Sequence, residues 1–150
     1  MNSHYLRLLG MTVLSYIAMY VLMYAMVDRI ANVYANFNQF YMAGLMAAPM
    51  VLIELSLMGT MYHNKKLNIV IAAASVLALI AFFLFIRQQT AIFDKQFLKS
   101  MIPHHAGAIL MCEKASLQDA EIRELCSTIL SSQQSEIDKM KTILNRLEGR

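Results

Sequence analysis

Three long stretches of this chain are almost free of charge, and no other sequence feature restricts the fold as strongly. Leu8 to Val27 contains no Asp, Glu, Lys or Arg, Ile30 to Leu57 contains only Glu54, and Leu67 to Ile86 contains none. Crossing about 30 Å of hydrocarbon takes roughly 20 predominantly apolar residues in a helix, which satisfies its own backbone N–H and C=O groups. The chain has 150 residues, 58% hydrophobic and 15% charged, which is more apolar than an ordinary soluble domain. We therefore expect an all-α protein. Three transmembrane helices, at about 8–27, 40–62 and 67–86, make up a region 1–89, and a helical hairpin domain occupies 90–150. The alternative for the first stretch is a signal peptide with Arg7 as its basic start. Its apolar run is longer than an h-region, however, and no small-x-small cleavage site follows.

The net charge of +3 is placed informatively. From Asp94 to Arg150 there are eight basic and eight acidic residues, so the tail is neutral. The excess lies beside the apolar stretches, in Arg7, Arg29, Lys65, Lys66 and Arg87 against Asp28 and Glu54. Such a pattern orients spans and is not a nucleic-acid patch. It puts Arg7 and the Lys65–Lys66 pair in the cytoplasm and the Asp28–Arg29 loop on the other side. Three spans then leave the N-terminus in the cytoplasm and the C-terminal domain outside it. His63, Asn64, Lys65 and Lys66 read as a tight turn, with His63 and His4 as surface residues of the cytoplasmic face.

After Arg87 the pattern becomes amphipathic. No Gly or Pro separates Arg87 from Pro103, so the third span either continues into the tail or gives way to a new helix capped by Asp94. Pro103 is expected to kink a continuous helix. Ser116 to Asp119 resembles a capping box, giving a last helix from about Leu117 to Leu147. Ile122, Cys126, Ile129, Gln133, Ile137, Met140, Leu144 and Leu147 recur at steps of three and four and form one buried seam. Two helices are a small core, so the seam needs a cover. The expected cover is a second copy, completing a four-helix bundle in a homodimer or higher homo-oligomer; packing on the spans is the alternative.

Met101, His104, His105, Ala108, Met111 and Cys112 share one helical face. Thioether, thiol and imidazole favour a soft ion such as Cu(I). Adjacent histidines diverge by roughly 100° on a helix, so His104 and His105 do not readily chelate one ion together. A turn near Leu117 sets Met101 and Ile102 opposite Gln133 and Phe97 opposite Ile137. Gln133 is a polar group in an apolar seam and needs a partner, and Glu136, one step away, is placed to orient a histidine. The plainer reading is a structural hydrogen bond between His104 and Gln133. Cys112 and Cys126 stay open between a disulfide, metal ligands and core filler.

Of the 13 methionines, nine fall in the first two expected spans, 8–27 and 40–62. Met42, Met46, Met50, Glu54 and Met58 run along the second at steps of four, a possible path for a soft cation with Glu54 as counter-charge. The same residues serve equally as plastic apolar filler, and a strict four-residue step drifts about 40° per step around a helix.

The tail from Asp94 to Leu147 resembles the domain of unknown function 305 family, which includes CopM-like copper-binding proteins. The residues that carry the resemblance are Asp94, Phe97, Met101, Ile102, His104, His105, Ala108 and Met111, then Leu125, Ile129, Gln133, Glu136, Ile137 and Met140. It implies a ferritin-like helical bundle that binds Cu(I), or Ag(I), outside the cytoplasm. His104, His105, Met101, Met111 and Met140 are then the ligands, with Cys112 a further candidate and Gln133, Glu136 and Asp94 around them. Cys112 and Cys126 stand where the family more often has small residues. No catalytic constellation is present, so the expectation is copper sequestration or tolerance rather than an enzyme. A Met-lined copper transporter and a partner-recruiting structural protein are the rivals.

Overall fold

The computed structural model describes residues 3–149. Among them every regular element is helical: α1 (Ser3–Leu22), α2 (Phe37–Leu57), α3 (Lys65–Gln88), α4 (Asp94–Lys114) and α5 (Ala120–Glu148), with short 3₁₀ turns at Met23–Met26 and Ile30–Asn32. Three segments, Ser3–Met26, Phe37–Leu57 and Lys65–Gln88, are long and apolar enough to cross a membrane. They correspond to the three stretches read from the sequence. The chain forms two compact units, one of residues 1–23 with 38–90 and the other of 24–37 with 91–150.

In the first unit the three long helices are tied mainly through tyrosines. Tyr5 donates to the Asn68 side chain at 2.7 Å and packs on Tyr62, while Tyr16 donates to the Phe40 carbonyl at 2.9 Å. Asn64 caps α3 by accepting from the Leu67 N–H at 3.0 Å, so Lys65 and Lys66 belong to its first turn. The connection between α2 and α3 is therefore earlier and longer than the tight turn expected at 63–66. α2 buries Ala43, Gly44, Ala47, Ala48 and Val51. A Cβ at Gly44 would run into the Phe82 ring, which would have to move to admit any other residue. Glu54 accepts from the Tyr62 hydroxyl at 3.1 Å.

α3 does not continue into the tail. Gln89 takes the left-handed conformation, φ 51°, as the helix cap, and Ala91 follows at φ 58°. A glycine commonly fills such a cap. Here the Gln89 side chain offsets the cost by bonding to the Ile86 carbonyl and to the Asn38 amide. α4 then starts at Asp94, with Phe93 rather than Asp94 at the cap; Asp94 sits in the first turn, where its charge suits the helix dipole. α4 passes through Pro103 without interruption. The cap of α5 is Asp119, which accepts from the N–H groups of Glu121 and Ile122, not Ser116.

In the second unit α4 and α5 run antiparallel. Contacts 112–126, 105–136 and 99–148 follow one another away from the turn. Their core is Leu98, Ile102, Ala106, Ile109, Ile137 and Leu144. The seam's cover includes the chain's own 24–37 segment, whose Val27 and Tyr34 pack on this core. That segment is built rather than loose. Asp28, its side chain 2% exposed, accepts from Arg29 and Asn32, and Asn36 accepts from Ser100. A second copy is thus not the seam's sole source of cover.

The open end of the hairpin is closed by Lys99 and Glu148, 2.7 Å apart. The hydrogen bond from Lys99 holds the Glu148 carboxyl below its ordinary pKa, helped by the charges of Lys99 and Lys95. Because the folded value is the lower one, the bridge contributes fully above the unfolded pKa and is lost as pH falls through the folded one. The pair is exposed, so the effect is small. Glu148→Gln is expected to lower the melting temperature slightly at neutral pH, with the gap to wild type closing as pH falls through the lowered folded-state pKa. A gap that persists in acid would reject the bridge as its cause.

Candidate metal site in the hairpin

His105 is the organised residue of the predicted face. It is buried, 7% exposed, in the middle of α4 beside the core. Its Nδ1 lies 2.9 Å from the Met101 carbonyl oxygen one turn back, and its Nε2 lies 2.7 Å from a carboxylate oxygen of Glu136 on α5. Both partners accept, so the doubly protonated ring is the form that donates at each nitrogen. The geometry also suits a metal ligand. Nδ1–H donating to a backbone carbonyl fixes the ring and directs Nε2 outward, and Glu136, with its side chain 54% exposed, is free to swing aside or join a bound ion.

The register follows from this pair. One turn back along α4 is Met101 and one turn on along α5 is Met140; the helices being antiparallel, both thioethers belong to the same level of the hairpin. Met101 is half-buried and Met140 packs on the core. One imidazole, two thioethers and one carboxylate thus come from two turns of each helix.

The other predicted residues are placed differently. His104 is exposed, and its ring lies 6.1 Å from that of His105, centre to centre. It does not share the Glu136 contact. Met111 is 59% exposed and ten residues from Met101, roughly 15 Å along the axis, too far to join the same ion. Asp94, at the start of α4, lies eleven residues before His105, roughly 16 Å along the axis. Cys112 is paired with Cys126 in a disulfide, Cα–Cα 5.3 Å, so it has no thiolate to offer as a ligand. Gln133 is half-buried, but Glu136 is the residue that reaches His105. The expected register was short by about six residues. The turn sits at 115–119, Phe97 is 50% exposed, and Ile137 shares the core with Ile102 instead. Among the described residues no group of three or more His, Cys, Asp or Glu is gathered as a metal site. Any site here depends on thioethers.

Along α2, Met42 and Met46 are exposed and lie off the face that packs within the unit, and Met58 falls beyond the helix. They do not line a path between the helices of one chain.

These features define an all-α protein with three membrane-length helices and an antiparallel hairpin clasped by a disulfide and centred on a buried histidine. The chain belongs to the domain of unknown function 305 family (DUF305), whose match covers residues 53–144. That match begins inside α2 and takes in all of α3, so it reaches well beyond the tail in which the resemblance was first read. An uncharacterised protein of Acanthamoeba polyphaga mimivirus is 33% identical over 141 residues, covering 92% of this chain and 91% of its own length. An alignment of that extent takes in the three apolar segments of this chain. No solved structure matches.

Proposed function

We propose that this protein is anchored in a membrane by α1, α2 and α3, and that its hairpin binds Cu(I), with Ag(I) as a substitute, for sequestration or tolerance rather than catalysis. The observation that carries the reading is the setting of His105. Its Nδ1 is locked to a backbone carbonyl, its Nε2 faces a displaceable carboxylate, and Met101 and Met140 stand one turn away. Imidazole and thioethers select a soft cation over Mg²⁺ or Ca²⁺. An imidazole nitrogen binds a metal through its free lone pair, so protons compete with the ion. The ligand set proposed is His105, Met101 and Met140 with Glu136. His104 and Met111 are left for contacts outside this site.

The disulfide supports an oxidising compartment for the hairpin, such as a bacterial periplasm, with Arg7 and Lys65–Lys66 on the cytoplasmic side of the inner membrane. Exposed Ile122 and Leu125 near the turn leave room for a second hairpin. A second reading rests on the same pair: both ring nitrogens of His105 already have partners, as in a purely structural contact.

A Cu(I) titration of the full-length protein in detergent, against a competing chelator with ascorbate as reductant, separates the two. Met101→Leu/Met140→Leu keeps apolar volume, and such swaps usually cost under about 1.5 kcal/mol each. The expected result is at least a tenfold loss of Cu(I) affinity with the hairpin still folded. Unchanged affinity in the double variant would sink the site. A His105→Ala protein that loses stability but keeps its copper affinity would establish the structural reading.

A further inference from the structure

Between α1, α2 and α3 lies a cavity of about 400 Å³, partly open to its surroundings and almost wholly apolar. Its floor is made of small residues, Gly44, Ala47 and Ala48 on α2 with Ala74, Ser75 and Ala78 on α3, faced by Leu8, Thr12 and Tyr16 of α1. These helices meet through tyrosine and phenylalanine side chains at the ends of the cavity and stand apart in its middle. A void of this size is unusual in a protein interior, where packing leaves few holes larger than a water molecule.

Its dimensions name the occupant. The lining on α1 runs from Tyr5 to Tyr16, a length of roughly 16 Å at 1.5 Å per residue. That is about half of a ~30 Å hydrocarbon core, the depth of one leaflet. Spread over that length, the volume gives a mean cross-section of roughly 25 Å². A helix with its side chains is about 10–12 Å across and does not fit. A single extended hydrocarbon chain does.

The two ends differ in chemistry. Toward Tyr16 the cavity is stopped by aromatic rings: Tyr16 packs on Phe40, and Phe40 and Tyr41 pack on Phe82. The Tyr5 end borders the segment where α1 and α3 begin and α2 has ended. That segment carries Arg7, Lys65 and Lys66, and its one nearby acid, Glu54, already accepts from Tyr62. In the same place the Nδ1 of His4 is buried without a hydrogen-bond partner. Aromatic contacts bound both ends, Tyr5 packing on Tyr62 at this one, so a chain enters through the open side of the cavity, and the cations found at this end alone match a phospholipid inserted from a single leaflet with its phosphate beside them.

We propose that the three-helix unit binds one acyl chain of an anionic phospholipid in this cavity, headgroup toward Arg7, Lys65 and Lys66. The inference rests on the membrane placement proposed above and is independent of copper. The lipid fills the gap between the helices, and the unit takes its lipid from the leaflet on the Lys65–Lys66 side.

The test reconstitutes the full-length protein in phosphatidylcholine vesicles doped with a trace of phosphatidylglycerol carrying a photoactivatable acyl chain, or with phosphatidylcholine carrying the same chain. Labelled peptides are then mapped. The expected result is label concentrated several-fold on the inward residues Leu8, Thr12, Ala47 and Ala78 relative to the outward Leu14, Leu77 and Ile80, and stronger with the anionic probe. Lys65→Gln/Lys66→Gln should erase the headgroup preference, and Ala47→Leu/Ala78→Leu should erase the inward label. Label confined to outward residues would overturn the cavity assignment while leaving membrane insertion intact. Inward label equal for both headgroups would overturn the anionic assignment. No label on any of the three helices would overturn membrane placement and the lipid site together.

Discussion

Ile137→Ala is expected to destabilise the hairpin by about 2–5 kcal/mol, the usual cost of emptying a fully buried aliphatic site. Ile137 and Ile102 are both wholly inaccessible and belong to one cluster with Leu98, Ala106, Ile109 and Leu144. The core is small, and the side chains packed against it, Val27, Tyr34, Met140 and Ile143 among them, are themselves only partly buried. The cost therefore falls on the whole of α4 and α5 at once. Amide hydrogen exchange of the full-length protein reads it directly, as a fall in protection on the order of 10²–10³-fold along both helices. The change should also release the packing of Val27 and Tyr34, so residues 24–37 should exchange faster in the same variant. Loss confined to the turn around Ile137, with α4 unaffected, would show that the hairpin is not held by this cluster.

Removing the disulfide should act on the other end. Cys112 and Cys126 are 14 residues apart, and closing a loop of that length stabilises a fold by about 3 kcal/mol, chiefly through the unfolded chain. Most of the apolar core lies away from them, with only Ile109 and Leu130 reaching within a turn of the bond, while Met111, Ile122 and Leu125 near the turn are exposed. The Cys112→Ser/Cys126→Ser protein is therefore expected to fray from the turn. Protection should fall roughly 100-fold over residues 109–130 and much less at 98–106 and 137–144. Treating wild type with dithiothreitol should reproduce the pattern. Equal loss along both helices would mean that the bond holds the whole unit, and no loss would mean that helix packing alone sets the turn. Because His105 and Glu136 lie between the two ends, Cu(I) affinity should survive reduction. Thiol ligation by Cys112 would instead raise it.

Much of this architecture was legible in the chain because its causes are local. A run of twenty apolar residues has one stable solution in hydrocarbon, so the three long helices follow from composition, with ends misplaced by only a few residues. Periodicity likewise marked the hairpin, and Asp119 was visible as a helix-start signal, though as the wrong member of the cap. The break between α3 and α4 was not legible. It rests on Gln89 and Ala91 in a conformation glycine usually supplies, made possible by the Gln89 amide bonding to Asn38, 51 residues away in sequence. No local pattern announces a bond of that range.

The hairpin register shows the same division. A turn near Leu117 by itself sets Met101 and Ile102 opposite Gln133, whereas in the folded hairpin Glu136 is the residue that reaches His105. The turn at 115–119 contains Leu117, as expected, so its position alone does not fix the opposing residues; packing of Ile102 with Ile137 selects them. The pairing of Cys112 with Cys126 needed that register, as did the separation of His105, held from two sides, from His104, left exposed. The sequence by itself determined that the chain is helical, that three of its helices suit a membrane, and that soft ligands cluster in its tail, since each depends on side-chain type at short spacing. Tertiary structure alone decided which of those ligands meet, that segment 24–37 packs on the hairpin, and that the long helices stand apart around a cavity. Each of these is a contact between residues distant in sequence, and its free energy exists only once the chain has brought them together.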